Sequence, residues 1–227
     1  MTNTFKDILK KYLGEVIVIF IGISISFWFD EWRENRKDRE MEQKILQNLK
    51  ANLKQDSMVL EMTTIHVQRM IAGAEKLSQT QPDPSLTDSV SYYIDMSASY
   101  IGFLANQTTY EEMKQTGHSS LIQDDTLKNF ILGHYTSLMP YVQEWCDVDK
   151  THTMTQLIPE MSNYFPVIID TTNIVPAAEK IKYLQKPKLK HLLITNLTYK
   201  REALKALEIT KGNTKRLMAR IDKVLKK

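Results

Sequence analysis

Residues 46–77 read LQNLKANLKQDSMVLEMTTIHVQRMIAGAEKL, and the spacing of their apolar members decides the class of fold. Leu46, Leu53, Leu60, Val67 and Ala74 follow one another at seven-residue steps, and Leu49, Asp56, Thr63, Met70 and Leu77 form a second such series. Two interleaved series of this kind place an apolar stripe along one side of an α-helix. Asp56 and Thr63 interrupt the second series. A helical bundle within the chain and an intermolecular coiled coil both use such a stripe, and bundle core is the simpler reading.

Towards the N-terminus, Asp30 to Glu42 is densely charged and contains neither Pro nor Gly, so the helix is expected to begin by about Asp30 and to form a juxtamembrane stalk over 30–77. Ahead of it, Val16 to Phe29 reads VIVIFIGISISFWF without a charged group, and the apolar character extends back to Tyr12 apart from Glu15. At about 1.5 Å per residue, a Tyr12–Phe29 helix just crosses a hydrocarbon layer roughly 30 Å thick. Tyr12, Trp28 and Trp32 stand where interfacial aromatic belts form, and Lys10, Lys11, Arg33, Arg36 and Lys37 flank the run. The expectation is a short tail over 1–11 and one transmembrane helix over 12–29, with the lipid bilayer as its first partner. A cleaved signal peptide is the competing reading, because Lys6, Lys10 and Lys11 give a basic start and Ser24-Ile25-Ser26 offers a small-x-small site; the bulky residues after it and Glu15 within it argue against cleavage. Flanking charge does not decide orientation, and an extracytoplasmic C-terminal domain is the expectation. Glu15, Gly22 and Ser26 share one stripe of this helix, where small groups admit close approach of another helix. An interfacial Glu15 with incidental small residues is the simpler alternative.

Towards the C-terminus, Gln81-Pro82-Asp83-Pro84-Ser85 marks a loop, and the remainder of the bundle is expected over 88–227. A second helix is expected from about Asp88 to Leu104, with Val90, Ile94, Ile101 and Leu104 on its apolar face. Thr109, followed three residues later by Glu112, has the capping-box pattern, and Gly117 supplies a stop. Asp124 and Asp125 open a longer helix with Leu127, Phe130, Ile131, Leu138 and Trp145 as core candidates and Pro140 as a kink or break. Residues 149–187 hold Pro159, Pro166 and Pro176 as well as Val167-Ile168-Ile169, and are expected to be the least regular region. A last helix is expected from Pro187 towards Lys226, with Leu189, Leu193, Leu197, Leu204, Leu207, Leu217, Ile221 and Leu225 near one side and a division at Gly212-Asn213. The fold class is therefore all-α, a transmembrane helix continuing into a stalk and an antiparallel helical bundle.

Composition agrees with a helical chain. Among 227 residues there are only 7 Gly and 7 Pro, and the formal net charge of +3 is too balanced for a nucleic-acid footprint. Cys146 is the one cysteine, so no intramolecular disulfide can form, and a buried structural thiol is the simple reading.

Two stretches resemble a known family. Tyr12-Leu13-Gly14-Glu15, Ile21-Gly22-Ile23, Trp32 and Glu34-Asn35-Arg36-Lys37 are similar to the opening of small single-pass membrane proteins of Bacteroidota grouped under a domain of unknown function. The run from Thr109 to Gly117, with Leu121-Ile122 and His134-Tyr135, resembles the second motif of that family. Members commonly continue Ala-Leu-Gln-Ile-Asn where this chain has Ser24-Ile25-Ser26-Phe27-Trp28. The resemblance implies a bacterial inner-membrane anchor and the same fold, for which the extracytoplasmic domain expected above would be periplasmic, and it supplies no activity.

The sequence carries no catalytic signature. His66, His118, His134, His152 and His191 are scattered, there is no Glu-x-x-His pair for a bundle di-metal centre, and glycine-rich phosphate loops, nucleophile elbows and Cys-x-x-Cys are missing. Glu111, Glu112, His118, Asp124 and Asp125 make the best acid–base group, but helix capping accounts for most of them. No enzyme activity, cofactor or metal is expected. A membrane-tethered interaction or scaffold domain is favoured, binding a second copy or an envelope protein and no nucleic acid. A ligand-sensing domain is the alternative and requires a concave apolar pocket.

Overall fold

The computed structural model describes residues 2–78, 89–165 and 175–226, and side chains throughout these ranges except at 2–11, 13 and 14. All regular structure among the described residues is helical. Helix α1 runs unbroken over Thr2–Ser78, 77 residues. Then follow α2 (Val90–Ala98), α3 (Thr108–Gln115) with a 3₁₀ turn at His118–Leu121, and α4 (Asp125–Gly133). A π turn at His134–Leu138 joins α4 to α5 (Met139–His152), and another at Thr153–Leu157 joins α5 to α6 (Ile158–Ser162). Helix α7 (Ala177–Leu184) precedes α8, 39 residues over Pro187–Leu225.

The C-terminal half of α1 and the part of α8 from about Arg201 to Asp222 form an antiparallel pair. Lys50 pairs with Asp222, Lys211 with Glu61 at 3.3 Å and Arg201 with Glu75 at 2.7 Å, so the two helices run past each other in a fixed register. The first heptad series faces this core, for Leu46, Leu53, Leu60, Val67 and Ala74 are all fully buried. They pack with Leu127, Ile131, Tyr135, Met139, Val142, Leu207 and Leu217. A second cluster of Leu77, Ile94, Leu157, Met161, Leu189 and Leu193 closes the far end. The bundle expected from the sequence is thus present.

Several boundaries differ from expectation. Helix α2 stops at Ala98 instead of Leu104, because two buried carboxylates take the backbone donors that further helix would use: Asp149 accepts from the Ile101 N–H at 3.0 Å and Asp56 from the Asn106 N–H at 2.8 Å. Leu104 consequently points outward, 78% exposed, while Ile101 and Phe103 are buried. Thr109 does not cap α3. The helix begins two residues earlier, with Gln107 at the cap position, the Thr108 N–H reaches Asn106 Oδ1 at 3.2 Å, and the Thr109 hydroxyl accepts from Asn52 Nδ2 at 2.8 Å. Pro140 does not break its helix. Lacking an N–H and crowding the carbonyl four residues back, it follows a widened turn in which Met139 N–H bonds the His134 carbonyl across five residues. Pro159 repeats the arrangement, with Ile158 N–H bonded to the Thr153 carbonyl. Residues 149–165 are accordingly more regular than expected. Gly212-Asn213 does not divide α8. The loop at Gln81–Ser85 and the Val167–Ile169 stretch lie outside the described residues.

Among the described residues, no helix is long and apolar enough to cross a membrane. The uncharged run Val16–Phe29 covers only about 20 Å at 1.5 Å per residue and is closed by Glu15 and Asp30. Extending it to Tyr12 brings in Leu13 and Gly14, whose side chains are outside the description. The described helix therefore does not by itself establish the transmembrane segment.

Candidate functional site

The N-terminal part of α1 stands clear of the bundle. Every described large apolar side chain from Val16 to Trp32 is exposed, from 49% at Ile17 and Trp32 to 72% at Phe27. These residues occupy all sides of the helix, whereas a bundle helix shows only one apolar face. Gly22 has no heavy atom within 4 Å of the position a Cβ would take. Its missing side chain opens a shallow groove of 400 Å³ bounded by Ile19, Ile23, Ser26, Phe27 and Asp30. The Ser26 hydroxyl donates to the Gly22 carbonyl at 3.0 Å, which hides part of its polarity within the helix. Of the three residues expected to mediate helix association, Gly22 and Ser26 share this groove, and Glu15, exposed, lies outside it.

The bundle interior holds polar groups the sequence reading did not anticipate. Lys200 and Asp149 are both fully buried and pair at 2.8 Å. Lys200 Nζ also donates to the Ser99 carbonyl at 2.7 Å, and Asp149 Oδ2 accepts from Ile101, so α5, α8 and the chain after α2 meet at one ion pair. Burial pushes the Lys200 ammonium below its ordinary value and Asp149 opposes that shift. One turn further, Asn196 Nδ2 donates to Thr153 Oγ1 at 2.9 Å and His152 Nε2 lies 3.0 Å from the Leu192 carbonyl. At the other π turn, His134 is fully buried and neither ring nitrogen makes a hydrogen bond of good geometry, the Asn213 amide being its polar neighbour. Burial lowers its pKa to about 4, which the neighbouring Asn213 amide only partly resists. Tyr135 stacks on Tyr110 with centroids 4.6 Å apart, and its hydroxyl is pushed upward by burial and then by Asp56. Asp56 is itself raised by burial, against the hydrogen bond from Asn106.

A signal for this interior existed in the heptads of α8. Leu193, Lys200, Leu207, Thr214 and Ile221 are seven residues apart, as are Leu189, Asn196, Ala203, Thr210 and Leu217. Polar residues on an apolar series mark buried polar layers, as Asp56 does on α1.

The acid–base candidates are not gathered into a site. Asp124 caps α4 by accepting from the Leu127 N–H at 2.9 Å, and that bond, with Arg220 beside it, holds its carboxyl below the usual range. Glu111 faces Lys114, Lys128 faces Asp125, and His118 sits in the 3₁₀ turn. Only Asp124 borders the neighbouring cleft, 610 Å³ in volume, with Arg39, Glu42, Gln123 and the end of α8. Among the described residues, no group of three or more His, Cys, Asp or Glu side chains is placed to hold a metal. Cys146 is buried, and burial together with Asp149 and Asp147 pushes its thiol up to about 12.

Compared with known proteins, the chain matches no family model, no curated relative and no solved structure.

Proposed function

We propose that this protein is a membrane-anchored helical interaction domain, held by one N-terminal helix over 12–29 and acting by binding other proteins. The observation that carries the reading is the helix segment from Val16 to Trp32, whose bulky apolar side chains are exposed on every side, with none of the bundle's described residues covering them. Monomeric soluble proteins rarely expose a contiguous apolar surface of this extent, and membranes and partner proteins are what cover one. Read from Tyr12, the run is 18 residues with Glu15 as its only charge, roughly 27 Å of helix, and the basic and aromatic flanks complete the pattern of an anchor. Alignment of Glu15, Gly22 and Ser26 along it supports a helix–helix contact within the bilayer. A bacterial inner membrane with the bundle on the periplasmic side is the location this reading takes.

The ligand-sensing alternative gains less support, because the clefts are open and their walls charged. The 610 Å³ cleft is bounded by Arg39, Glu42 and Asp124, and another of 580 Å³ by Asp124, Arg216, Arg220 and Lys223. Small-molecule pockets are predominantly apolar concavities. Crosslinking in native membranes, followed by mass spectrometric identification of co-purified chains, tests the binding role. A discrete species crosslinked to the bundle or its stalk is the expected result. Recovery of the uncrosslinked chain alone, under conditions that crosslink known membrane complexes, would refute it.

A further inference from the structure

Along the middle of α8, surface cations are matched by carboxylates: Arg201 pairs with Glu75, Lys205 with Glu202 and Lys211 with Glu61. Nearer the C-terminus, Arg216 and Lys223 are exposed and form no ion pair among the described residues. With Arg220 they line one wall of a cleft of 580 Å³, and Asp124 and Phe130 stand on the other. Spaced four and three residues apart, the three cations share one side of α8, where like charges at such spacings destabilise a helix. The helix dipole offsets this for Lys223 in the last turn, but not for Arg216, nine residues before the end at Leu225. Asp124 is the one carboxylate lining the cleft among the described residues, and it is already engaged, accepting from the Leu127 N–H at 2.9 Å and from Arg220 Nη2 at 3.2 Å. Ala219, small and exposed between the cations, leaves the cleft its depth.

We propose that this cleft binds an acidic segment of a partner protein, an inference that deepens the protein-binding reading above and rests on it. Complementary charge is what the uncompensated Arg216 and Lys223 call for. Arg216 and Lys223 are about 10 Å apart along the helix axis at 1.5 Å per residue, so an occupant that matches all three cations carries several charges spread along its length. Alternate side chains of an extended chain lie on one side about 7 Å apart, close to the roughly 6 Å rise from Arg216 to Arg220. Carboxylates on alternate residues therefore meet the cations in turn, and an arginine fork can hold each through two hydrogen bonds. Phe130, half-buried, gives their aliphatic stems an apolar wall. Lipid headgroups are too distant to be the anion. Lys50 pairs with Asp222, which sets Lys223 level with about residue 50 of α1, and Phe29 lies 21 residues before that. The interval is roughly 30 Å of helix, whereas headgroups extend only about 5–8 Å beyond the hydrocarbon.

Peptide binding to the full-length chain in non-ionic detergent tests this, with a rhodamine-labelled octapeptide of alternating Glu and Ala read by fluorescence anisotropy. The salt is about 0.1 M, where charges more than about 10 Å apart are screened. Arg216→Gln combined with Lys223→Gln, and separately Ala219→Trp, which fills the cleft, are each expected to weaken binding on the order of tenfold. Lys182→Gln combined with Lys186→Gln removes the same charge from exposed positions outside the cleft and is expected to leave the affinity within about twofold. All these positions are exposed, so thermal melts of the variants should match that of the natural chain. Equal weakening by the two lysine and arginine pairs would mean attraction by bulk charge and overturn the proposal. Absence of peptide binding to the natural chain would overturn it, as would citrate binding as tightly as the peptide, which would make the cleft a site for small anions. Native-membrane crosslinking reads the partner separately. A partner linked equally to the natural chain and to the Arg216, Lys223 variant keeps the protein-binding reading and refutes this cleft, whereas selective peptide binding with no crosslinked partner keeps the acidic preference and loses that reading.

Discussion

Replacing Lys200 by Met is expected to destabilise the bundle more than any exposed substitution, and the geometry sets the size of the effect. The change removes the ammonium that meets Asp149 at 2.8 Å and the Ser99 carbonyl at 2.7 Å. Asp149, fully buried, keeps only the Ile101 N–H at 3.0 Å. Breaking one side of a buried pair typically costs about 3–5 kcal/mol, mostly from the charge left without compensation. Replacing both sides with apolar residues of similar size is often neutral. The double variant Lys200→Met with Asp149→Leu is therefore expected to recover most of the loss, leaving about 1–3 kcal/mol for the orphaned Ser99 carbonyl and Ile101 N–H. Urea unfolding followed by circular dichroism, on a chain beginning at Asp38, measures both. A single-variant loss under about 1 kcal/mol, or a double variant worse than the two single losses added, would refute this account of the pair.

Further outcomes follow from other parts of the bundle. His134 has a folded pKa near 4 against an ordinary 6.5, so its unfolded form takes up a proton that the folded form refuses. Stability is expected to be full above pH 6.5 and to fall as the pH drops towards 4, by on the order of 3 kcal/mol. A comparison of urea midpoints for the natural chain and His134→Leu across that range isolates the effect, and parallel pH profiles would contradict it. Thr109→Ala should cost about 1 kcal/mol by stranding the Asn52 amide. In a double-mutant cycle with Asn52→Ala the two losses should be less than additive, while additive losses would show that the contact carries no energy. Gly117 has φ +73° and open space around its Cβ position, so Gly117→Ala is expected to lose about 1 kcal/mol to backbone strain alone. Gly212→Ala, also in open space but inside α8, is expected to gain about 0.5–1 kcal/mol, and thermal melts read the two opposite signs.

The heptad of α1 was legible because burial of one helix face leaves a seven-residue trace, and Leu46 to Ala74 and Leu49 to Leu77 followed it. Asp56 was legible only as an interruption. Its role depends on Asn106, which is 50 residues further along and brought close by folding, so no local pattern could predict the hydrogen bond. The end of α2 was missed for the same reason: propensity favoured continuing to Leu104, but distant carboxylates captured the backbone. The kink or break expected at Pro140 and the irregularity expected around Pro159 are both replaced by continuous helix, since a one-residue widening of the helix leaves no composition signal. Lys200 was the most avoidable omission. It stands on an apolar series between Leu193 and Leu207, where a solvated lysine has no place. On the N-terminal part of α1, the four-residue spacing of Gly22 and Ser26 is enough to set both on one groove, and Glu15 lies outside it.

Fractionation of membranes carrying the full chain tests the central claim most directly, alongside a chain beginning at Asp38 and the pair Ile21→Arg and Ile21→Leu. A cation at the centre of a span costs about 2.5–3.5 kcal/mol on insertion scales, and Leu costs nothing there. The account predicts that the full chain and Ile21→Leu resist carbonate and need detergent, that the shortened chain stays soluble, and that Ile21→Arg is depleted from the integral fraction. Release of the full chain by carbonate, or its recovery beginning at Phe27 after removal of a leader, would contradict the anchor.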